Sequence, residues 1–193
     1  SEKYEHTGEK GEYIDSYYSR TLNVAQEFLP LLEEITTPVC IIGGGMAGVA
    51  TAQGLVDRGI KPVLIEANRI GWGASGRNGS FVSAGYSLGV QKIVEKVGKE
   101  HARALCALTV DALALIKKRI GERSDLRGET DGLLNVSWFN ERDAVEKNIE
   151  CLNDIMGVNY QFWSQQQITD LYHSKRYYDG YMKPDAIQVH SLN

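Results

Sequence analysis

The chain has 193 residues, 42% hydrophobic and 24% charged, with a formal charge of −4, the length and apolar content of a soluble protein with one domain or two small ones. The acidic balance, with no basic run, excludes a general attraction to nucleic acid or anionic lipid. No stretch has the apolar length of a transmembrane span, and the polar start SEKYEHTGEKGEY lacks the apolar core of a signal peptide, so the cytoplasm is the expected location.

The first dozen residues are expected to be mobile. From Tyr13 to Leu32 an aromatic and then aliphatic pattern (Tyr13, Ile14, Tyr17, Tyr18, Leu22, Phe28) reads as an arm packed on the domain, with Pro30 interrupting any helix. Surface cover is the preferred role for these tyrosines over an aromatic lid.

The chain is organised around Val39 to Glu66, VCIIGGGMAGVATAQGLVDRGIKPVLIE. The apolar run Val39–Ile42 has the pattern of a strand covered on both faces. Gly43-x-Gly45-x-x-Gly48 follows. The first glycine allows a sharp turn, the second lets a pyrophosphate approach bare backbone, and the third lets the next helix lie close to the strand. That helix starts with free N–H groups and a positive dipole end directed at the anion. Ala52 keeps its sheet-facing side small, and Gly59 suits a left-handed cap. A second apolar strand, Pro62–Ile65, ends on Glu66, about 20 residues past the glycines, where a carboxylate can accept hydrogen bonds from ribose hydroxyls. The same carboxylate would repel a 2′-phosphate, which disfavours NADP. Strand, turn, helix, strand and acid together predict dinucleotide binding.

Ala67–Gly85, ANRIGWGASGRNGSFVSAG, is glycine-rich and interleaved with Ser75, Arg77 and Asn78. Backbone amides, one guanidinium and one carboxamide are groups suited to a diphosphate and the polar edge of a flat heterocycle. Trp72 reads as tucked against the domain.

Taken together, Gly43-x-Gly45-x-x-Gly48-x-x-x-Ala52, Gly59, Glu66 and the string Gly71-Trp72-Gly73-Ala74-Ser75-Gly76-Arg77-Asn78-Gly79 resemble the N-terminal part of the FAD-dependent amine oxidases. These are the glycine oxidase and D-amino-acid oxidase group, with the gamma-glutamylputrescine oxidases nearest. The arm at Asp15, Ser16, Tyr17 and Tyr18 is similar to theirs too. The resemblance implies FAD as cofactor, with Glu66 on the adenosine ribose, Ala74 and Ser75 at the pyrophosphate, and Arg77, Asn78 and Gly79 near the flavin. Gly43, Gly45, Met46, Ala47, Gly48, Ala67 and Gly73 complete the expected cofactor-binding set. One residue departs from the pattern: Ser80 stands where the family usually has a second glycine after Asn78. It either crowds the flavin side of the loop or adds a hydrogen bond.

Helical patterns follow at 90–97 and 100–120. In the second, Leu105, Leu108, Ala112, Leu115, Ile116 and Ile120 are expected to face the core, with Gly121 ending the helix. Asp131-Gly132 leads into an alternating strand, Leu133–Phe139. Asn140 is expected to cap a helix burying Val145, Ile149, Leu152 and Ile155 and ending at Gly157. Tyr160–Trp163 reads as a strand, and Ser164-x-x-Gln167 as a capping box opening a helix to about Tyr172. Asp179-Gly180 reads as a turn, and Ala186–Val189 as a strand after Pro184.

The three cysteines are widely spaced and odd in number, so neither a disulfide framework nor a metal site is indicated. Cys40, Cys106 and Cys151 are expected to be small buried hydrophobes. The four histidines form no triad or metal cluster. Similar proteins carry a histidine at the place of His190, where a structural hydrogen bond is the preferred role.

The expected fold is α/β: an incomplete Rossmann-like FAD-binding βαβ unit followed by the start of a mixed α+β substrate domain. The expected division is an arm at 1–37, the N-terminal part of the FAD-binding domain at 38–125, and the N-terminal part of a substrate or cap domain at 126–193. A Rossmann domain needs a third parallel strand, and no later βαβ crossover follows Glu66. Relatives of this type are about twice as long, so the chain is expected to be the N-terminal piece of a longer protein. Its open sheet edge then seeks a second copy or the remaining half.

The resemblance implies oxidation of the CH–NH bond of an amine or amino acid by hydride transfer to flavin, imine hydrolysis and reoxidation by oxygen. No catalytic acid or base is identified, and the piece alone is expected to be inactive. Two alternatives stay open. The glycine turn and acid also suit an NAD-dependent dehydrogenase, although such enzymes do not need the Gly71–Gly79 loop. The chain can also be an ADP- or FAD-binding fragment without turnover.

Overall fold

A computed structural model describes residues 12–23, 28–122 and 128–193, with 128–131 described by backbone alone. Most of the N-terminal segment expected to be mobile lies outside the described residues. The chain divides into two compact units, Ser1–Ser80 with His190–Asn193, and Phe81–Val189.

In the first unit, α1 (Tyr17–Thr21) opens with a capping box in which the Ser16 and Ser19 side chains each serve the other's backbone amide. The arm is tied to the glycine-rich loop by the Tyr13 hydroxyl, which donates to the carbonyl of Ile70 at 2.8 Å, and by Trp72 Nε1–H, which donates to the carbonyl of Glu12 at 2.6 Å. These two bonds give Tyr13 and Trp72 the packing roles read from the sequence. His190 likewise makes a structural contact, with Nε2 2.9 Å from the Thr21 hydroxyl and its ring edge-on to Tyr18.

β1 (Cys40–Ile42) and β2 (Val63–Ile65) pair in parallel, Ile41 opposite Leu64. They are joined by α2 (Met46–Val56). Parallel neighbours require a crossover of this length. Beyond the end of α2, Gly59 takes φ +75°, the left-handed value expected of a glycine that turns the chain out of a helix. The expectation that β1 is covered on both faces is corrected. Cys40 and Ile42 share one side of the strand by its period of two; both are exposed, Ile42 by 85%. Only the intervening Ile41 is half-buried.

The second unit contains β3 (Phe81–Val82), α3 (Val90–Gly121), β4 (Gly128–Val136), α4 (Arg142–Met156), β5 (Gln161–Trp163), α5 (Gln165–Tyr172) and β6 (Gly180–Val189). β6 is the spine of an antiparallel sheet. β4 runs along one of its edges, while β5 and then β3 occupy the other. The sequence predicted only the last four residues of β6, because proline cannot donate to a ladder. The strand nevertheless continues through Pro184. Leu133 pairs with Lys183 and Asp131 with Ile187, so Gly132 alone faces residues 184–186 at an irregularity in register. A bulge is one of the few sheet positions that tolerate proline.

Gly98, with φ 79° and ψ 163°, kinks α3 and separates the two expected helical segments. The buried stripe differs from the expected one. Ala102, Cys106 and Leu113 are buried, whereas Leu108 is 61% exposed and Leu105 and Leu115 are exposed as well. Together with α4, α3 forms a core that includes Ile149, Leu152, Ile155 and Met156. α4 ends at Gly157 with φ +67°, as expected, but its N-cap is Glu141 rather than Asn140, with no side-chain capping bond. α5 has the full predicted capping box between Ser164 and Gln167.

Candidate dinucleotide site

The glycine turn joins β1 to α2. Gly43 takes φ +102°, and among the described residues, its chain neighbours aside, no atom lies within 4 Å of where its Cβ would stand, so the turn has open space beside it. Gly48 is the close-packing position: an added Cβ would lie 2.0 Å from the Gly43 carbonyl oxygen. The N–H groups of Met46, Ala47 and Gly48, at the start of α2, have no intrahelical acceptor. Ala47 and Gly48 leave theirs to the positive end of the helix dipole, while Met46 N–H donates to the Ser75 hydroxyl at 2.9 Å.

Glu66 ends the strand run of β2, and its carboxylate turns back toward the glycines. Oε2 accepts the amide hydrogen of Gly44 at 2.6 Å, and Oε1 accepts that of Asn68 at 3.0 Å. These backbone bonds, first that of Gly44 and then that of Asn68, hold the carboxyl below its usual pKa, with Ala67 N–H adding to the effect. The carboxylate therefore stays ionised as an acceptor. Each oxygen keeps a lone pair for a further donor such as a ribose hydroxyl.

Ala74–Gly76 forms a single 3-10 turn with Gly73 at its N-cap. The Gly73 carbonyl accepts from Gly76 N–H at 3.3 Å and from Arg77 Nε at 3.1 Å. Ala74 and Gly79 are exposed, and so is Arg77, whose guanidinium stands 5.3 Å from the Trp72 ring centroid. Asn78 spends its carboxamide inside the loop: Nδ2 donates to the Ser75 carbonyl at 2.8 Å, and Oδ1 accepts from Ser80 N–H at 2.8 Å. Ser80 is buried at φ +60°, and its hydroxyl has no partner among the described residues.

The geometry brings together Gly43, Gly45, Met46, Ala47, Gly48, Glu66 and Ser75. Two contributors escape a sequence reading. Gly44 is buried and donates to Glu66, and an added Cβ there would lie 2.5 Å from Ile70 Cδ1. The middle glycine of a run of three is a signal for such a role. Asn68 acts through backbone alone, two residues beyond Glu66, which no residue type announces.

Amides and a hydroxyl for a diphosphate, with an ionised acceptor one strand away for a sugar, match the donor and acceptor needs of the adenosine diphosphate part of FAD. The fold and this turn define a Rossmann-type dinucleotide-binding protein.

The chain belongs to the family described as FAD dependent oxidoreductase, which matches residues 38–193. FAD is thus the cofactor, which decides between the flavin and nicotinamide alternatives left open by the glycine turn. The chain is 29% identical over 185 residues to a probable oxidoreductase, OrdL, of Haemophilus influenzae, covering 94% of this chain and 43% of that protein. It is 38% identical over 109 residues to the gamma-glutamylputrescine oxidoreductase of Escherichia coli, covering 56% of this chain and 26% of the relative. Among solved structures, glycine oxidase from Geobacillus kaustophilus matches with a TM-score of 0.63 at 19% identity, over 81% of this chain and 41% of that one. The L-amino acid deaminase of Proteus myxofaciens matches with a TM-score of 0.60 at 18% identity, over 88% and 36%. The chain thus spans less than half the length of each of these proteins. The two structural likenesses carry the fold alone.

Proposed function

We propose that this chain supplies the ADP-binding part of an FAD-dependent oxidoreductase acting on the CH–NH bond of an amine or amino acid. The observation that carries the reading is the pairing of Glu66 with Gly44 across the start of α2, which sets an ionised acceptor beside unpaired amides. The name of the gamma-glutamylputrescine oxidoreductase supports an amine as substrate.

In this reading Glu66 accepts hydrogen bonds from the adenosine ribose. The Ala47 and Gly48 amides and the Ser75 hydroxyl donate to the diphosphate, with Gly43 and Gly45 keeping side chains out of its way. Ala67, Gly73 and Ala74 line the approach through backbone, and Arg77 and Gly79 lie toward the flavin. Bound FAD would supply a two-electron oxidation, accepting a hydride from the carbon beside nitrogen; the imine would be hydrolysed, and dioxygen would take the electrons from the flavin as hydrogen peroxide.

No acid or base for that chemistry is assigned to these residues, and turnover by the 193 residues alone is not expected. The open edge of the two-stranded β1–β2 sheet is where a second copy or a further polypeptide would add. The test is reconstitution with FAD followed by a visible absorption spectrum. A protein-bound flavin band supports the reading, and its absence after saturating FAD refutes it.

A further inference from the structure

The loop after β2 has to deliver the Ser75 hydroxyl to the first turn of α2, and Asn78 ties that loop together. Its Nδ2 donates to the Ser75 carbonyl at 2.8 Å and lies 3.5 Å from the Ala74 carbonyl oxygen. Its Oδ1 accepts from Ser80 N–H at 2.8 Å. Ser80 sits at φ +60°, a conformation unfavourable for any residue with a Cβ and therefore in need of a local hold. The Ser75 hydroxyl lies 2.9 Å from Met46 N and 3.1 Å from where a Cβ on Gly45 would stand. One carboxamide thus spans the chain from Ser75 to Ser80, and the hydroxyl at one end of that span lies at the opening turn of α2.

We propose that Asn78 is a positioning residue for the diphosphate seat, acting through Ser75, rather than a contact to the flavin ring. The inference rests on the reading that FAD binds at this turn. Nδ2 and Oδ1 are both held by loop backbone, which fixes the orientation of the carboxamide within its own loop. Removing it frees the Ser75 backbone and the left-handed Ser80 together, and the hydroxyl loses its fixed place on Met46.

ADP separates the two roles, because it carries the diphosphate and adenosine but no flavin. Binding of ADP and of FAD is measured by calorimetry for the protein and for Asn78→Ala, Asn78→Asp, Ser75→Ala and Ser75→Ala/Asn78→Ala. Asn78→Asp keeps the shape of the side chain and replaces the donor facing the Ser75 carbonyl with an acceptor. The expected result is a loss of about tenfold in affinity for both ligands, by the same factor, with either Asn78 variant. In the Ser75→Ala background the Asn78→Ala change costs little more, since both act as one unit. Loss of FAD affinity with ADP affinity intact overturns the proposal, as do unchanged affinities for both ligands or fully additive losses in the double variant. If the unaltered protein binds neither ADP nor FAD, it is the FAD-binding reading itself that fails.

Discussion

The Glu66 carboxylate reaches back from the end of β2 to accept the Gly44 amide hydrogen at 2.6 Å. The residue read from the sequence as a sugar ligand is therefore also a brace for the glycine turn. Bracing depresses its pKa, with Gly44 the largest cause and Asn68 the next. A depressed carboxyl contributes stability that is fully present above its unfolded value, about pH 4.3, and is lost as pH falls through the lower folded value. We expect Glu66→Gln to be less stable than the unaltered protein at neutral pH, with the difference closing below about pH 4. Denaturant unfolding across a pH series checks this, and a gap that stays constant on acidification would refute it.

The glycines of the turn differ in what they tolerate. At Gly48 a methyl group would stand 2.0 Å from the Gly43 carbonyl oxygen, a backbone atom that cannot swing away. Gly59 has φ +75° but nothing within 4 Å of its Cβ position. Gly48→Ala should cost about 1–3 kcal/mol through overpacking and abolish FAD binding by moving α2 off the turn. Gly59→Ala should cost about 1–2 kcal/mol from the left-handed backbone alone and leave FAD affinity near its original value. Equal FAD affinities for the two variants would contradict this.

Ser80 combines a left-handed backbone with a buried hydroxyl that lacks a hydrogen-bond partner among the described residues. Both features cost free energy, and glycine removes both at the expense of some unfolded-state entropy. Ser80→Gly should raise stability by about 1 kcal/mol. A fall in thermal midpoint would show instead that the hydroxyl has a stabilising role.

At the start of α5, the Ser164 hydroxyl accepts from Gln167 N–H at 3.3 Å, and Ser164 N–H donates to the Gln167 side chain at 2.9 Å. Ser164→Ala should destabilise the unit by about 1 kcal/mol. Ser164→Asp, which restores an acceptor at the cap, should recover most of that loss in the same denaturation assay.

The elements whose punctuation is chemical were legible in advance: the glycine turn, the Ser164–Gln167 box and the left-handed stop at Gly157 each depend on local backbone physics that the residue type declares. The burial face of α3 was not. Leucines at 105, 108 and 115 outweigh Ala102 and Cys106 in any tally of hydrophobicity, yet the helix buries the smaller residues. Which face of a helix is buried depends on the element it packs against, and a sequence window sees only one partner. Strand β6 was hidden by Pro184 because the irregularity that tolerates it shows only in the register with β4, where Gly132 alone faces residues 184–186. At the site, the acid and the glycines were visible, but the commitment of Asn78 to its own loop was not. A carboxamide has the same formula whether it faces a ligand or its neighbours.

Gly98 bends α3 out of helical dihedrals partway along its length. The stretch before the bend is shorter than a helix that persists unaided in water, so it borrows its order from the packing of Val90 and Ile93. The bend lets both arms serve one core: Val90 and Ile93 before it and Ala102, Cys106 and Leu113 after it belong to the same cluster as Ile149, Leu152, Ile155 and Met156 of α4.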